Sequence, residues 1–168
     1  MTKIGIISDT HGCFDNKLKE FLKDTDQIWH AGDFGNIYIA DQIASFKPLI
    51  GVYGNIDDYT VRLAYPQFQF FSCEEMKILM THIGGYPKRY NPELMIKIKE
   101  LKPDIVVCGH SHILKVMFDK TLNHLHINPG AAGNYGFHPV RTAIRITIDQ
   151  NTVTDMEVGE WKREAANY

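Results

Sequence analysis

Short apolar runs alternate with amphipathic segments over the first 110 residues of the chain. Apolar runs of strand length predict buried strands at 3–7, 27–30, 49–53, 76–81 and 105–108. Apolar residues at helical spacing predict helices over 16–24, 37–46 and 92–101, with Asp15 and Asn91 as N-caps. This alternation is typical of βαβ units that build a parallel sheet.

The pattern changes in the last third of the chain. Four further strands are predicted at 115–118, 124–127, 140–148 and 153–158, joined by short turns, and segment 67–71 is expected to pair with 76–81. No linker, internal repeat or low-complexity segment interrupts the chain. We therefore expect one α/β domain over residues 1–168, with its sheet extended by hairpins.

Composition adds limits to this picture. The chain has 168 residues, 44% of them hydrophobic, which is enough to bury a core, and its net charge of -2 gives no strong signal for nucleic acid. Three cysteines without C-x-x-C spacing, no leader segment and no apolar run of roughly 18 residues favour a cytoplasmic protein without a membrane partner. Homo-oligomer formation is left open by the sequence.

Polar residues follow five of the predicted strands, in the stretches ISDTH, HAGD, YGN, MTH and CGHSH. Ligands of open α/β sheets bind at the carboxyl ends of the strands, where the loops converge. We therefore expect one shared site, and seven residues are its candidates: Asp9, His11, Asp33, Asn55, His82, His110 and His112.

The candidate residues have the chemistry of metal ligands. Each one alone has an ordinary structural explanation, such as a cap, a turn or a hydrogen-bonded histidine. Together, imidazole and carboxylate favour Mn, Fe, Zn or Ni, and seven ligands exceed what one catalytic zinc takes. Two metals that share one carboxylate would use all seven. The P-loop, dinucleotide-binding, serine hydrolase and zincin motifs do not occur in the sequence.

The motifs D-x-H, G-D, G-N, a lone His and G-H-x-H, in this order, resemble those of the calcineurin-like metallophosphoesterases. The short chain and the ending INPGA are similar to the small, single-domain phosphodiesterase branch of that family, and the resemblance covers residues 4 to about 148. It implies a two-sheet α/β sandwich flanked by helices, in four layers α/β/β/α. It also implies two ligand sets with Asp33 bridging them: Asp9, His11, Asp33 and His112 for one metal, and Asn55, His82 and His110 for the other.

The implied activity is hydrolysis of a phosphoester, above all a phosphodiester, by a hydroxide that bridges two divalent metals. Mn²⁺ is the first expectation for these metals, with Fe, Zn, Ni and Mg as alternatives, and the substrate would be a small phosphoester or a nucleotide-type molecule. Two alternatives stay open: a phosphomonoesterase with the same centre, and a protein-binding scaffold resembling the small retromer subunit. That scaffold lacks part of the metal-binding histidine set, whereas all seven positions carry competent ligands here.

The sequence departs from the family pattern at one position. Many members have G-N-H-[DE], whose histidine protonates the leaving group, but this chain has isoleucine at 56, between Asn55 and Asp57. Because such an acid is typically worth about 10²–10⁴-fold, we expect a preference for good leaving groups, or an acid from elsewhere, with His124 and His138 as candidates.

Two other segments have a sequence-based expectation. His124 and His126 are two apart in a predicted strand, so they should share a face, which we expect to be a solvated or hairpin face rather than a third metal site. Segment 84–90 is expected to be a flexible, basic and aromatic loop.

Overall fold

The computed structural model describes residues 1–164. Its strands are β1 Thr2–Ile7, β2 Gln27–His30, β3 Leu49–Gly51, β4 Phe68–Cys73, β5 Met76–Thr81, β6 Gly85–Tyr86, β7 Arg89–Tyr90, β8 Ile105–Val107, β9 Leu114–Asp119, β10 His124–Pro129, β11 Val140–Asp149 and β12 Thr152–Lys162. Its helices are α1 Asn16–Leu22, α2 Ile37–Phe46, α3 Tyr59–Ala64 and α4 Pro92–Leu101. The predicted domain over residues 1–168 extends past the described part and stays a prediction.

The long strands form two sheets, each with three parallel strands. The first sheet has the order β12-β11-β1-β2-β3, in which β1, β2 and β3 are parallel. The second has the order β4-β5-β8-β10-β9, in which β5, β8 and β10 are parallel. The strand-rich tail is thus divided between the sheets, since β9 and β10 join the second and β11 and β12 join the first.

The two sheets pack face to face, with helices on both outer sides. Alternate strand residues such as Ile6, Trp29 and Ile105 are buried between the sheets. The opposite face of the first sheet packs on α1 and α2, and the opposite face of the second packs on α4. This alternation follows from the two-residue period of a strand. The four-layer α/β/β/α sandwich expected from the resemblance is confirmed.

The helix starts follow from short polar side chains at the N-cap. The carboxylate of Asp15 accepts a hydrogen bond from the Leu18 backbone amide at 3.1 Å, and the Asn91 side chain accepts one from the Glu93 amide at 2.9 Å. Such a cap stabilises a helix by about 1 kcal/mol. Both predicted caps are therefore confirmed. Within residues 1–164, no helix is long and apolar enough to cross a membrane.

Two local predictions were wrong or incomplete. Segment 84–90 is a small β6–β7 hairpin and not a flexible loop, because Tyr90 at its end is buried against the second sheet. Helix α3 was not predicted, since its six residues are too few to show an apolar period. Its signal is Asp58, whose carboxylate caps the amides of Thr60 and Val61.

Candidate metal centre

The seven predicted ligands lie together at one edge of the sandwich. Three of the loops that carry them follow the parallel strands β1, β2 and β3 of the first sheet, and two follow β5 and β8 of the second. The carboxyl ends of these strands meet at the same edge, so residues far apart in sequence become neighbours. We call these residues the strand-end cluster: Asp9, His11, Asp33, Asn55, His82, His110 and His112.

One half of the strand-end cluster is formed by Asp9, His11 and His112. The Asp9 Oδ1 atom lies 3.1 Å from His112 Nε2 and 3.8 Å from His11 Nε2. The other carboxylate oxygen of Asp9 is fixed by hydrogen bonds from the Ser8 hydroxyl at 2.6 Å and the His110 backbone amide at 3.1 Å. Oδ1 is buried and has no hydrogen-bond donor among residues 1–164. A bound cation would satisfy this oxygen, which is otherwise costly to bury.

The other half is formed by Asp33, His82 and His110, with Asn55 beside them. The His82 Nδ1 atom donates to the Ala31 carbonyl at 2.7 Å, which leaves the Nε2 lone pair free to bind a metal. His82 Nε2 lies 3.2 Å from Asp33 Oδ2 and 3.0 Å from Asn55 Oδ1. Asp33 Oδ2 is also 3.8 Å from His11 Nε2 in the first half. Asp33 is therefore placed to be shared between two metals.

The donor atoms fit a pair of divalent cations. In each half, the atoms of Asp9, His11 and His112 or of Asp33, His82 and His110 lie within 4.8 Å of one another. Imidazole nitrogen and carboxylate oxygen are ligands that Mn, Fe, Zn and Ni share. No cysteine belongs to either group, so a thiolate site is not formed by these residues.

The surroundings of Asp9 and Asp33 keep both carboxylates ionised, which is the form that binds a cation. Burial alone would raise the pKa of Asp9, but the imidazoles of His11 and His112 beside its carboxylate outweigh it and hold that pKa well below its usual range. Burial likewise opposes ionisation of Asp33, and the His82 contact nevertheless lowers its pKa. Burial would lower the pKa of His82, but Asp33 and Asp9 raise it. The acids are thus anionic at neutral pH, and a cation bound there would displace a proton from His82.

The backbone is strained where it presents the ligands. Left-handed φ angles occur at Asp9 (53°), His11 (44°), Asp33 (58°), His110 (69°) and His112 (60°). Such a conformation costs a non-glycine residue roughly 1 kcal/mol or more, and it is concentrated at functional sites. It turns the side chain away from the direction that a continuing strand would give it. The strain therefore supports a functional role for these five positions.

Supporting residues that the sequence did not assign hold the loops in place. Buried Asp57 accepts hydrogen bonds from the backbone amides of Gly35 at 3.0 Å and Gly54 at 2.8 Å, which ties two ligand loops together. A Cβ atom on Gly54 would lie 2.0 Å from Asp33 Oδ1, so the G-N motif needs glycine for close approach. Asn128, within INPGA, donates to the Gly109 carbonyl at 2.9 Å.

The structure shows where each residue considered for protonation of the leaving group lies. Ile56 is 47% exposed at the rim of the cluster and borders a pocket of about 370 Å³ with His11, Gly35 and Tyr135. His124 was the wrong candidate, because it is fully buried at the start of β10, whereas the end of that strand approaches the cluster. His138 is half-buried in the loop before β11, and its role stays a prediction.

His124 and His126 lie in the β9–β10 hairpin, but the face that they share is not solvated. Both side chains are fully buried and contact the Tyr90 hydroxyl, at 2.8 Å from His124 Nε2 and 3.0 Å from His126 Nδ1. The β6–β7 hairpin and α4 cover this face of the second sheet, which the local sequence of β10 does not show.

The fold of this chain is shared by solved structures, including the following two. The structure of a novel archaeal phosphodiesterase is 24% identical with a TM-score of 0.74, and the match covers 93% of this chain and 99% of the other. A Vps29 from Entamoeba histolytica, complexed with Zn²⁺, is 17% identical with a TM-score of 0.74, covering 96% and 99% of the two chains.

Sequence comparison identifies the family. A probable metallophosphoesterase of Mycoplasma pneumoniae is 31% identical over 138 residues, which are 78% of this chain and 79% of the relative. Residues 2–151 match the model of the calcineurin-like phosphoesterase superfamily domain, and that span contains every residue of the strand-end cluster. The chain therefore belongs to the calcineurin-like phosphoesterase superfamily.

Proposed function

We propose that this protein is a phosphodiesterase that works with two divalent cations held by the strand-end cluster. The observation that carries the proposal is the position of Asp33, whose Oδ2 lies near imidazoles of both halves, at 3.2 Å from His82 Nε2 and 3.8 Å from His11 Nε2. Asp9, His11 and His112 would hold one cation with it. Asn55, His82 and His110 would hold the other.

The side chains of the strand-end cluster have different roles in the proposed reaction. When bound, two divalent cations would supply a hydroxide nucleophile at neutral pH and offset the charge on the phosphoryl oxygens. Asp9, buried and fixed through Ser8 and the His110 amide, keeps its free oxygen directed at the imidazoles. The exposed side of the cluster contains His110 and Asn55, which leaves an approach for a phosphoester from solvent.

The leaving group receives no proton from residue 56. The Ile56 side chain lies at the rim and is aliphatic, while its backbone amide only supports Asp33 Oδ1 at 3.0 Å. Leaving groups that are stable as anions, such as nitrophenolate, need no acid. We therefore expect aryl esters to be cleaved faster than alkyl esters, by the factor of about 10²–10⁴ that a general acid usually supplies.

The preference for diesters has a separate support. The archaeal phosphodiesterase that shares the fold covers nearly the whole of this chain. A phosphomonoesterase with the same cluster is the alternative within enzymes. A scaffold that binds a metal without turnover is the alternative outside enzymes, and the Vps29 complexed with Zn²⁺ supplies its fold precedent.

The test is hydrolysis of bis(p-nitrophenyl) phosphate by protein stripped with EDTA and titrated with Mn²⁺, beside p-nitrophenyl phosphate. Parallel titrations with Fe²⁺, Zn²⁺, Ni²⁺ and Mg²⁺ rank the metals, and calorimetry gives the number bound. Metal-restored turnover that favours the diester supports the proposal. Faster turnover of the monoester selects the phosphomonoesterase, and binding of metal without turnover of either ester selects the scaffold.

A further inference from the structure

Arg163 follows β12 and carries a buried charge without a partner. All three nitrogens of its guanidinium are shielded from solvent and form no hydrogen bond to any residue within 1–164. A guanidinium has five N–H donors and stays protonated in proteins. A buried charge without a counter-ion is destabilising, so such a group is retained where it has a ligand to bind.

The guanidinium lies directly behind the first half of the strand-end cluster. A Cβ atom placed on Gly136 would be 2.6 Å from His112 Nδ1 and 2.7 Å from Arg163 Nη1, so both groups contact the same glycine. The other ring nitrogen of His112 faces Asp9 at 3.1 Å. Arg163 thus lies beside His112, one of the predicted metal ligands, against the same glycine.

The acids near Arg163 are already paired with other cations. Asp15 accepts hydrogen bonds from both terminal nitrogens of Arg141, at 2.6 and 3.2 Å. Glu164 is exposed and pairs with Lys17 at 3.1 Å. Burial, together with the charge of the neighbouring Arg141, lowers the pKa of Arg163. Neither of these two acids, both within residues 1–164, is free to pair with Arg163, so an anion brought by a ligand would be favoured there.

A pocket of about 480 Å³ reaches this region from the surface. Its walls include Asn134, Tyr135, Gly136, Phe137, His138, Arg163 and Glu164. The Tyr135 and Phe137 side chains are 68% and 107% exposed, and the Tyr135 ring packs on His11 with 5.0 Å between ring centroids. Exposed aromatic rings beside a metal centre offer flat surfaces on which a nucleobase can stack.

We propose that Arg163 and loop 134–138 bind a second phosphate of a nucleotide-type phosphodiester whose scissile phosphate lies at the strand-end cluster. The planar guanidinium fork matches two phosphate oxygens at once. The proposal names the substrate class of the function proposed above and rests on that function for its catalytic part. The loop covers the guanidinium, so the second phosphate displaces it outwards, and Gly136, at φ 129°, gives the loop the necessary backbone freedom.

The first test uses metal-free protein, so that it does not depend on hydrolysis. Inorganic sulfate is titrated calorimetrically into the EDTA-stripped wild type and into Arg163→Gln, Arg163→Lys and Arg145→Gln. Arg145 is the matched control, because it pairs with Glu157 on the surface of the first sheet. We expect sulfate to bind the wild type and the control and to raise their melting temperatures, while Arg163→Gln loses at least tenfold in affinity and Arg163→Lys loses less.

Equal sulfate affinity in the wild type and a folded Arg163→Gln would overturn the proposal. The variant is expected to fold, because removing an unpaired buried charge does not destabilise the protein. If it does not fold, Arg163→Lys provides the test, because lysine keeps the positive charge but cannot donate the two parallel hydrogen bonds of a guanidinium. Unchanged sulfate affinity in Arg163→Lys would contradict a bidentate site.

The second test measures the substrate preference. The p-nitrophenyl ester of thymidine 5′-phosphate is compared with the same ester carrying a 3′-phosphate, on Mn²⁺-loaded wild type and Arg163→Gln. We expect the 3′-phosphate to lower KM at least tenfold in the wild type and to have no effect on KM in the variant. No preference in the wild type would contradict the second-phosphate site, whereas no turnover of either ester would contradict the proposed function and leave the sulfate result standing.

Discussion

The chain contains two H-x-H pairs, and the structure uses them in opposite ways. His110 and His112 follow β8 at the edge of the sandwich and face the carboxylates of Asp33 and Asp9. His124 and His126 lie within β10, are fully buried and face the single hydroxyl of Tyr90. Equal spacing in the sequence therefore does not determine what a histidine pair does.

Backbone conformation explains the difference between the two pairs. In a regular strand, residues two apart point to the same side, so His124 and His126 reach one partner. His110 and His112 have left-handed φ angles of 69° and 60°, and their side chains enter different halves of the strand-end cluster. The first arrangement stabilises a core, and the second can bind two cations.

The charges around the imidazoles also differ. Burial lowers the pKa of His126 to about 4, and it also lowers the pKa of His124. Burial acts on His82 in the same direction, but the carboxylates of Asp33 and Asp9 reverse it and raise that pKa. Burial also lowers the pKa of His110, although Asp9 and Asp33 oppose that shift, so the two pairs differ in having carboxylates beside them and not in the direction of the pKa shift.

The largest effect is expected from Asp33→Asn. The substitution keeps the shape and the contact with the Ile56 amide but removes the charge that both halves share. We expect turnover of the aryl diester to fall by about 10³-fold or more, with fewer bound metal ions per chain. Elemental analysis and steady-state kinetics give both values. Asp119→Asn is the control, since this buried carboxylate only caps the turn after β9; near-normal turnover in Asp33→Asn would contradict a shared carboxylate.

Two variants, one in each H-x-H pair, test whether the two pairs have different functions. His112→Asn should lower turnover by about 10²-fold while stability changes little, because the ring is only half-buried. His126→Asn should keep turnover and lose about 1–3 kcal/mol of unfolding free energy, because it leaves a cavity and disturbs the Tyr90 hydroxyl. Urea unfolding and kinetics on the same preparations separate the two effects. Loss of turnover in a folded His126→Asn would show that the internal pair supports catalysis.

The sequence alone predicts the position of His110 and His112 at the candidate site, but it does not predict the surroundings of His124 and His126. Apolar runs ending in Asp, Asn or His located the strand-end cluster, because strand direction brings such ends together. The Tyr90 contact could not be predicted, since it depends on a hairpin folding over a strand 34 residues further along the chain. Arg163 gave no local signal either, because its position behind His112 arises only when β12 lies beside β11.

A smaller effect is expected from pH on the internal pair. Above pH 6.5, the His126 ring is neutral in both the folded and the unfolded chain, and its contribution to stability does not change. Between the ordinary pKa of 6.5 and the folded value of about 4, the unfolded chain binds the proton first, so stability falls as pH falls. The slope from this group is about 1.4 kcal/mol per pH unit at most.

Urea unfolding of the metal-free protein at pH 7 and pH 5 measures this slope. His126→Asn removes one titrating group, so its loss of stability between the two pH values should be smaller than that of the wild type. His30, which lies outside this pair, contributes equally to both proteins and cancels in the difference. An unchanged slope would mean that the ring already takes up a proton in the folded state.

The smallest effect, and the only gain, is expected from Ile56→His. The side chain lies at the open rim of the strand-end cluster, so an imidazole there reaches the pocket without disturbing the core. If a missing acid limits the reaction, methyl p-nitrophenyl phosphate should change little, whereas an ester with an alkoxide leaving group should be cleaved about tenfold faster or more. Ile56→Asn controls for polarity without a proton to give. A gain in the histidine variant alone, lost as pH rises above about 7, identifies proton donation; equal rates in all three proteins would place the acid elsewhere, with His138 the next residue to substitute.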